Sequence, residues 1–244
     1  MIKLIYMDGD FMKAILFDMD GTLLPMDEDV FTKGYFKLLA KKLCPFGIEP
    51  EALIDAVWDG TKCMYKNDGT KTNEQVFWDR FSEKTGLDYK PFYDASNDFY
   101  PNEFNQAKIF AEENPLARVA VEIAHEKAEK VVLATNPLFP MIGQVTRMSW
   151  MNLTPSDFDL VTSYENCSFT KPNPKYFEKV CETIGVEPKD CLMIGNSEDE
   201  DMHAAAALGI DTFLVEGFVK PGKDKPYEGK RGTFEDMIEY LKTL

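Results

Sequence analysis

The stretch Ala14-Ile15-Leu16-Phe17-Asp18-Met19-Asp20-Gly21-Thr22-Leu23 decides how the whole chain is read. Four apolar residues make a short buried strand, and two carboxylates and an Asp-Gly turn follow it at once. In an open parallel sheet, ligands bind beyond the carboxyl ends of the strands, so Asp18 and Asp20 stand where chemistry is done. Two acids placed there with no local base repel each other. A divalent cation, and a division of labour between the two, would relieve that repulsion. The bland alternative is an ordinary Asp-Gly turn between a strand and a helix. An EF-hand is set aside, because its glycine follows a longer spacing of oxygen ligands.

From about residue 114 onward, short β-branched runs alternate with helical patterns. Asn114-Pro115 reads as an N-cap and first helical position, followed by the apolar face Leu116, Ala120, Ile123 and Ala124. Val131 to Ala134 and Leu160 to Thr162 are short buried strands. Asn173-Pro174 opens another helix with the stripe Phe177, Val180, Cys181 and Ile184, and Gly185 ends it. Cys191 to Ile194 is a strand, Ala204 to Leu208 a helix stopped by Gly209, Thr212 to Val215 a strand and Phe234 to Leu241 a closing helix. Strands alternating with helices mean parallel pairing and helices on both faces, an α/β doubly wound, Rossmann-like sheet.

The strand at Ala14 is separated from its expected partner at Val131 by a stretch with no comparable strand, about Met26 to Phe110. That stretch reads as an inserted all-helical domain over residues 26–110, leaving 12–25 and 111–244 as the α/β core. Its aromatics, among them Phe31, Tyr35, Phe36, Trp58, Phe77, Trp78, Phe81, Phe99 and Phe104, are expected mostly to form its own core, with a minority facing a ligand. Residues 1–11 precede a second methionine, Met12, and are read as an N-terminal extension of unknown role.

Composition narrows the choices. An apolar fraction of 44% and an aromatic fraction of 13% fit a globular core rather than a disordered chain. No apolar run approaches the roughly 20 residues that span a bilayer. The first residues carry Asp8 and Asp10 and lack the apolar stretch of a signal peptide, so a cytoplasmic location is the expectation. Five cysteines form no close pair in the sequence and read as small hydrophobes in a reducing compartment. With no CxxC, and only His125 and His203 as histidines, a zinc site is not expected. A net charge of −15, from 42 acidic and 27 basic residues, argues against nucleic acid and anionic membranes as partners. It also means that a site for any anionic ligand must be made locally positive by a lysine, backbone amides or a metal.

Three further positions lie just beyond expected strands. The hydroxyl of Thr135 and the next amide, that of Asn136, can reach a phosphate oxygen; alone, Thr135 is an ordinary strand-end residue. Lys171, in Thr170-Lys171-Pro172-Asn173-Pro174, can neutralise charge on a nucleophile and on a transferring group, although a loop lysine is commonly only solvated. Gly195-Asn196-Ser197-Glu198-Asp199-Glu200-Asp201 joins a strand to an alanine-rich helix. Acids suit a helix start through the macrodipole, and four in so short a loop also suit a hard cation.

With these four segments in this order, the chain after about Met12 resembles the haloacid dehalogenase-like hydrolase superfamily, in its phosphatase branch with an inserted helical cap. The resemblance rests on DMDGTL, the threonine after VVLA, KPNPKYF, and GNSEDED running into DMHAAAALG. It implies that Asp18 attacks phosphorus and Asp20 handles protons, that Thr135, Asn136 and Lys171 hold the phosphate, and that the helical insert closes over the substrate. It also implies Mg²⁺ held by Asp18, the backbone oxygen of Asp20 and the acidic loop, with Asn196 and Asp201 as the loop positions. One departure stands out: the family pattern usually has an aspartate after the loop glycine, where this chain has Asn196. An amide oxygen still binds a hard cation but brings no charge, and Glu198, Asp199 or Glu200 is the alternative donor in the same loop.

The function so implied is Mg²⁺-dependent hydrolysis of a small phosphorylated metabolite through an aspartyl-phosphate. A phosphomutase or phosphotransferase of the same resemblance is the nearest rival, and a non-catalytic binding protein on the same fold is another. A haloacid dehalogenase is disfavoured, because dehalogenation does not require an acid-base residue at Asp20. Neither the substrate nor the oligomeric state is legible in the sequence.

Overall fold

Ala14–Phe17 forms β1, and all four of its side chains are fully buried. The structure, a computed structural model, describes residues 12–244; the extension at 1–11 lies outside the described residues. The other strands are β2 (Lys130–Leu133), β3 (Leu160–Val161), β4 (Cys191–Gly195), β5 (Asp211–Val215) and β6 (Lys230–Gly232). They make one sheet in the order β3-β2-β1-β4-β5-β6, every neighbouring pair parallel. The chain builds outward from β1 through β2 to β3, then returns to the other side of β1 at β4. That reversal makes the carboxyl ends of β1 and β4 a topological switch point, where such sheets bind ligands.

Strand alternation divides the core in two. Ile15, Phe17, Val131, Leu133, Leu192 and Ile194 face one side, where Ala120, Val121 and Ala124 of α5 (Ala117–Lys127) and Met237, Ile238 and Leu241 of the C-terminal helix Phe234–Thr243 cover them. Ala14, Leu16, Val132 and Met193 face the other, under Tyr176, Phe177, Val180 and Cys181 of the helix Pro174–Ile184. With both faces covered, short and almost wholly apolar strands are what the sheet requires. The doubly wound α/β reading therefore stands.

Between β1 and α5 come α1 (Glu28–Leu43), α2 (Pro50–Tyr65), α3 (Asn73–Thr85) and α4 (Lys90–Phe99), then a 3-10 segment at Glu103–Phe110. Local signals set their ends. Asp27 accepts from the amides of Asp29 and Val30, Thr72 and Gln75 form a reciprocal capping box, and Gly86 closes α3 in the left-handed region at φ 69°. The two ends of this segment meet: Glu112 N donates to Pro25 O at 2.8 Å, and Asn114 Nδ2 donates to Leu23 O at 2.9 Å. Contrary to expectation, its aromatics do not form a separate core. Phe31, Tyr35, Phe99 and Phe104 belong to the same continuous cluster as Ile15 and Phe17.

Other differences have local causes. Asn114 does not cap α5, which starts at Ala117; its Oδ1 accepts from Leu116 N in a turn, and its Nδ2 is spent on Leu23 O. The alanine helix opens as a wide π turn over Glu198–His203 and is regular only over Ala204–Ala206, designated α8 once α6 (Met141–Trp150) and α7 (Pro174–Ile184) are counted; Phe234–Thr243 is α9. β6, an edge strand of Lys230, Arg231 and Gly232, carries no apolar signal and is held by the exposed edge of β5. Cys181 on α7 and Cys191 on β4, ten residues apart in the sequence, bring their sulfurs to 3.8 Å as buried free thiols. No helix of the described residues is long and apolar enough to cross a membrane.

Candidate active site

The ladder continues one residue past β1 on both sides. Asp18 N donates to Ile194 O at 2.8 Å, and Ala134 N donates to Phe17 O at 2.7 Å. The sheet thereby sets Asp18 between Thr135, after β2, and Asn196, after β4. The chain then folds back: Gly21 N donates to Leu24 O, and the amides of Thr22 and Leu24 both donate to Met19 O. Gly21 makes this turn at φ +80°, and a Cβ there would stand 2.1 Å from Asn196 Nδ2, so only glycine lets the two loops close. The Thr22 hydroxyl, carried back by the turn, reaches Asp18 Oδ2 at 3.5 Å and Asn196 Oδ1 at 3.3 Å.

Lys171, fully buried, lies between two acids, with Nζ 2.8 Å from Asp18 Oδ1 and 2.6 Å from Asp201 Oδ1. Burial works against its charge, but Asp18 and Asp201 hold its ammonium above the ordinary lysine range. Burial pushes the Asp18 carboxyl well above the usual carboxylate range, Asp201 and Asp20 push the same way, and Lys171 opposes them. Asp201 is fully employed: its Oδ2 accepts from the amides of Asn196 and Ser197 at 3.1 and 3.0 Å while its Oδ1 takes Lys171. Those amide bonds wrap the first turn of the acidic loop around one carboxylate.

Thr135 is buried beside Asp18, its carbonyl held by the hydroxyls of Thr162 (2.7 Å) and Tyr176 (3.0 Å). Asn136 donates to Tyr65 Oη at 3.3 Å and to Glu200 Oε2 at 3.4 Å, while its buried Oδ1 has no hydrogen-bond partner. The structure thus gathers Asp18, Asp20, Thr135, Asn136, Lys171, Asn196 and Asp201 at one end of the sheet.

One member of this group has no counterpart in the sequence reading. Arg147 of α6 is completely buried, and its Nη1 lies 2.5 Å from Asp20 Oδ2. Its Nη2 donates to Gln144 Oε1, one turn earlier, and its guanidinium lies over the Phe139 ring at 4.2 Å. Gln144 is itself fixed, donating to Thr162 O at 3.3 Å. The signal was present but unread: Gln144 and Arg147 share a helix face with Met148 that the apolar pattern assigns to the core. Asp20 is left with one oxygen paired and the other, Oδ1, buried without a partner. Lys220 was also unread. The loop after β5 runs beside the acidic loop, Glu198 N donating to Lys220 O and Lys220 N to Asn196 O, which brings Lys220 Nζ to 3.0 Å from Glu28 and 3.5 Å from Glu200.

Among the described residues, no three carboxylate, imidazole or thiol groups converge as a metal site. The donors available at the turn are of another kind: Asp18 and Asp20, with the amide oxygen of Asn196. Because one hydroxyl reaches both Asp18 Oδ2 and Asn196 Oδ1, those two oxygens face common ground. With the backbone oxygen of Asp20 beside them, this all-oxygen donor set fits a hard divalent cation and leaves Asp20 Oδ1 free.

Above this cluster opens a cavity of about 230 Å³ between the sheet end and α1 to α4. Of the nine aromatics singled out in the sequence, only Phe99 and Phe104 stay out of its wall, so the segment supplies far more cavity surface than expected. Its four helices both pack into the shared apolar cluster and wall a hollow over the acids.

Fold, switch-point carboxylates and buried lysine together define a hydrolase of one family. The chain belongs to the haloacid dehalogenase-like hydrolase family, which it matches over residues 12–209. It is 25% identical to a phosphoglycolate phosphatase of Aquifex aeolicus over 88% of this chain and 90% of that one. It is 24% identical to a glyceraldehyde 3-phosphate phosphatase of Methanothermobacter thermautotrophicus over 96% and 99% of the two chains. In fold it is similar to a HAD phosphatase of Thermococcus onnurineus, with a TM-score of 0.58 and 21% identity over 94% of this chain and 98% of that one.

Proposed function

We propose that this chain is a Mg²⁺-dependent phosphatase that hydrolyses a small phosphorylated metabolite through an aspartyl-phosphate on Asp18, and that it works in the cytoplasm. The observation that carries the reading is the placement of Asp18 at the switch point, its Oδ1 2.8 Å from buried Lys171 and Asp20 beside it. The two phosphatase relatives, each matched over most of its length, support the same reaction class. Lys171 and Arg147, both buried, bring positive charge to an acid-rich site, although Asp18, Asp20 and Asp201 already pair with them, so a cation is still required.

In the first step a carboxylate oxygen of Asp18 attacks phosphorus, and the bond from phosphorus to the leaving oxygen breaks. That oxygen takes a proton from Asp20. Oδ1 is the atom suited to carry this proton, since Arg147 occupies Oδ2 and Oδ1 has no partner. In the second step Asp20 Oδ1 takes a proton from water, whose oxygen attacks phosphorus, and the Asp18–phosphorus bond breaks to give phosphate and the original carboxylate. Lys171 offsets charge on Asp18 and on the phosphoryl oxygens, and Thr135 with the Asn136 amide orients them. A Mg²⁺ ion held by Asp18, Asp20 and Asn196 would supply further stabilisation of phosphoryl charge. Asp201 serves in this account by holding Lys171 and the loop amides. Residues 26–110 act as a cap that excludes water over the 12–25 and 111–244 core.

Phosphate release with Mg²⁺, with EDTA and in the Asp18→Asn variant tests the reading. Turnover is expected with Mg²⁺, with loss in EDTA and in the variant while its circular dichroism is unchanged. Substantial turnover by Asp18→Asn would remove Asp18 as the nucleophile.

A further inference from the structure

The helical side of the cavity is chemically one-sided. Its wall is built from Phe36 and Leu39 of α1, Val57 and Trp58 of α2, and Phe77 and Phe81 of α3. Most polar groups on these helices that line the cavity are already engaged within the protein; the half-buried Thr32 hydroxyl is the exception. The Thr61 hydroxyl donates to Val57 O at 2.9 Å, and that of Ser96 to Tyr93 O at 2.8 Å. The hydroxyls of Tyr35 and Tyr100 bond each other at 3.0 Å, and Trp78 Nε1 donates to Tyr164 Oη at 3.3 Å. Among the described residues lining the cavity, Lys220 is the sole lysine, arginine or histidine, and Glu28 and Glu200 flank it.

A second anionic group on the substrate, a carboxylate or another phosphate, would meet aromatic walls and two carboxylates, with its one cation already claimed. Burying an unpaired charge there is strongly unfavourable, whereas an apolar body gains by leaving water. Size agrees, since a cavity of about 150 Å³ lined by apolar side chains holds a benzene ring. Resting on the phosphatase reading, we infer that the substrate is a phosphate monoester whose leaving group is uncharged and carries an aromatic or aliphatic body, in preference to a phosphorylated carboxylic acid. Trp58, about half exposed and tilted against Phe36 at 5.3 Å, forms the part of the wall nearest solvent.

The test compares kcat/KM of the full chain with Mg²⁺ on benzyl phosphate and on 2-phosphoglycolate. Both leave as primary alkoxides, so intrinsic reactivity is similar. Acetyl phosphate, whose small acetate group leaves without needing a proton, reports attack by Asp18 alone. Benzyl phosphate is expected to be favoured by about a hundredfold or more. Thr61→Lys, which adds a cation to the wall, should lower that ratio by about tenfold or more; if that variant does not fold, Trp58→Ala should lower it by a similar factor through loss of apolar contact. Equal or reversed preference, alongside Asp18-dependent hydrolysis of acetyl phosphate, would overturn the inference and leave the phosphatase reading standing. Absence of turnover on all three compounds would remove both.

Discussion

Asp18 and Asp20 sit two positions apart and are held by different cations, one by Lys171 from the loop after β3 and the other by Arg147 from α6. The acids and the lysine were legible because each belongs to a short local pattern at the end of an apolar strand. Arg147 was not, since its partner lies 127 residues away and only folding joins them. Its importance is open to measurement. Arg147→Met leaves Asp20 with a freely turning carboxylate, so kcat is expected to fall about a hundredfold with a smaller change in KM. Stability should drop by about 3 kcal/mol, because a buried pair loses one partner. Arg147→Lys, which keeps a charge near Asp20 but not the fork to Gln144, should recover part of the kcat loss; a merely structural role would restore stability without touching kcat. Asn196 was legible as a departure from the family pattern, and the structure gives it definite contacts: Nδ2 to Phe218 O at 2.7 Å and Oδ1 toward Thr22.

Elements with a strong period were read well, and those without one were not. β1, β2, β4 and β5 are apolar runs in a sheet covered on both faces, so sequence alone placed them. β6 is charged and forms only because β5 presents a free edge; α6 breaks the apolar pattern with Gln144 and Arg147, the residues that serve the site. The π turn at Glu198–His203 contains Asp201, which takes the nearby amides of Asn196 and Ser197 and also Lys171 from 30 residues away, a contact no local propensity contains. The turn after β1 is the element on which the loops depend. Gly21→Ala must adopt φ +80° and displace Asn196, so a loss of about 1–3 kcal/mol in denaturant unfolding is expected, together with weakened Mg²⁺ activation. An Ala variant with unchanged stability and unchanged Mg²⁺ dependence would show that the close approach of these loops has no consequence.

At the scale of the whole molecule, the helical segment and the sheet share one apolar cluster yet enclose a hollow over the acids. That it is helical and inserted was legible from the missing strands and the aromatics. That its rings face inward on a cavity was not, because helical periodicity identifies an apolar face without saying what that face meets. The shared cluster also makes alkaline stability a probe of the joint. Burial pushes the Tyr35 phenol up to about 12, while the same phenol in the unfolded chain ionises near 10. The folded state therefore keeps its proton after the unfolded state has lost it. Stability should be level below about pH 10 and fall as the pH rises toward 12, with Tyr35 contributing about 2–3 kcal/mol of the fall. Denaturant midpoints across that range should decline less steeply in Tyr35→Phe than in the native chain.

The central claim is that the phosphoryl group passes through Asp18. Acid quenching during turnover, followed by mass measurement of the peptide spanning Asp18 and Asp20, tests it directly. That peptide is expected to gain the mass of one phosphoryl group on Asp18, to lose it on treatment with hydroxylamine, and to gain nothing in Asp18→Asn. A chain that turns over substrate with no such adduct at any quench time, or with the adduct on another residue, would contradict it.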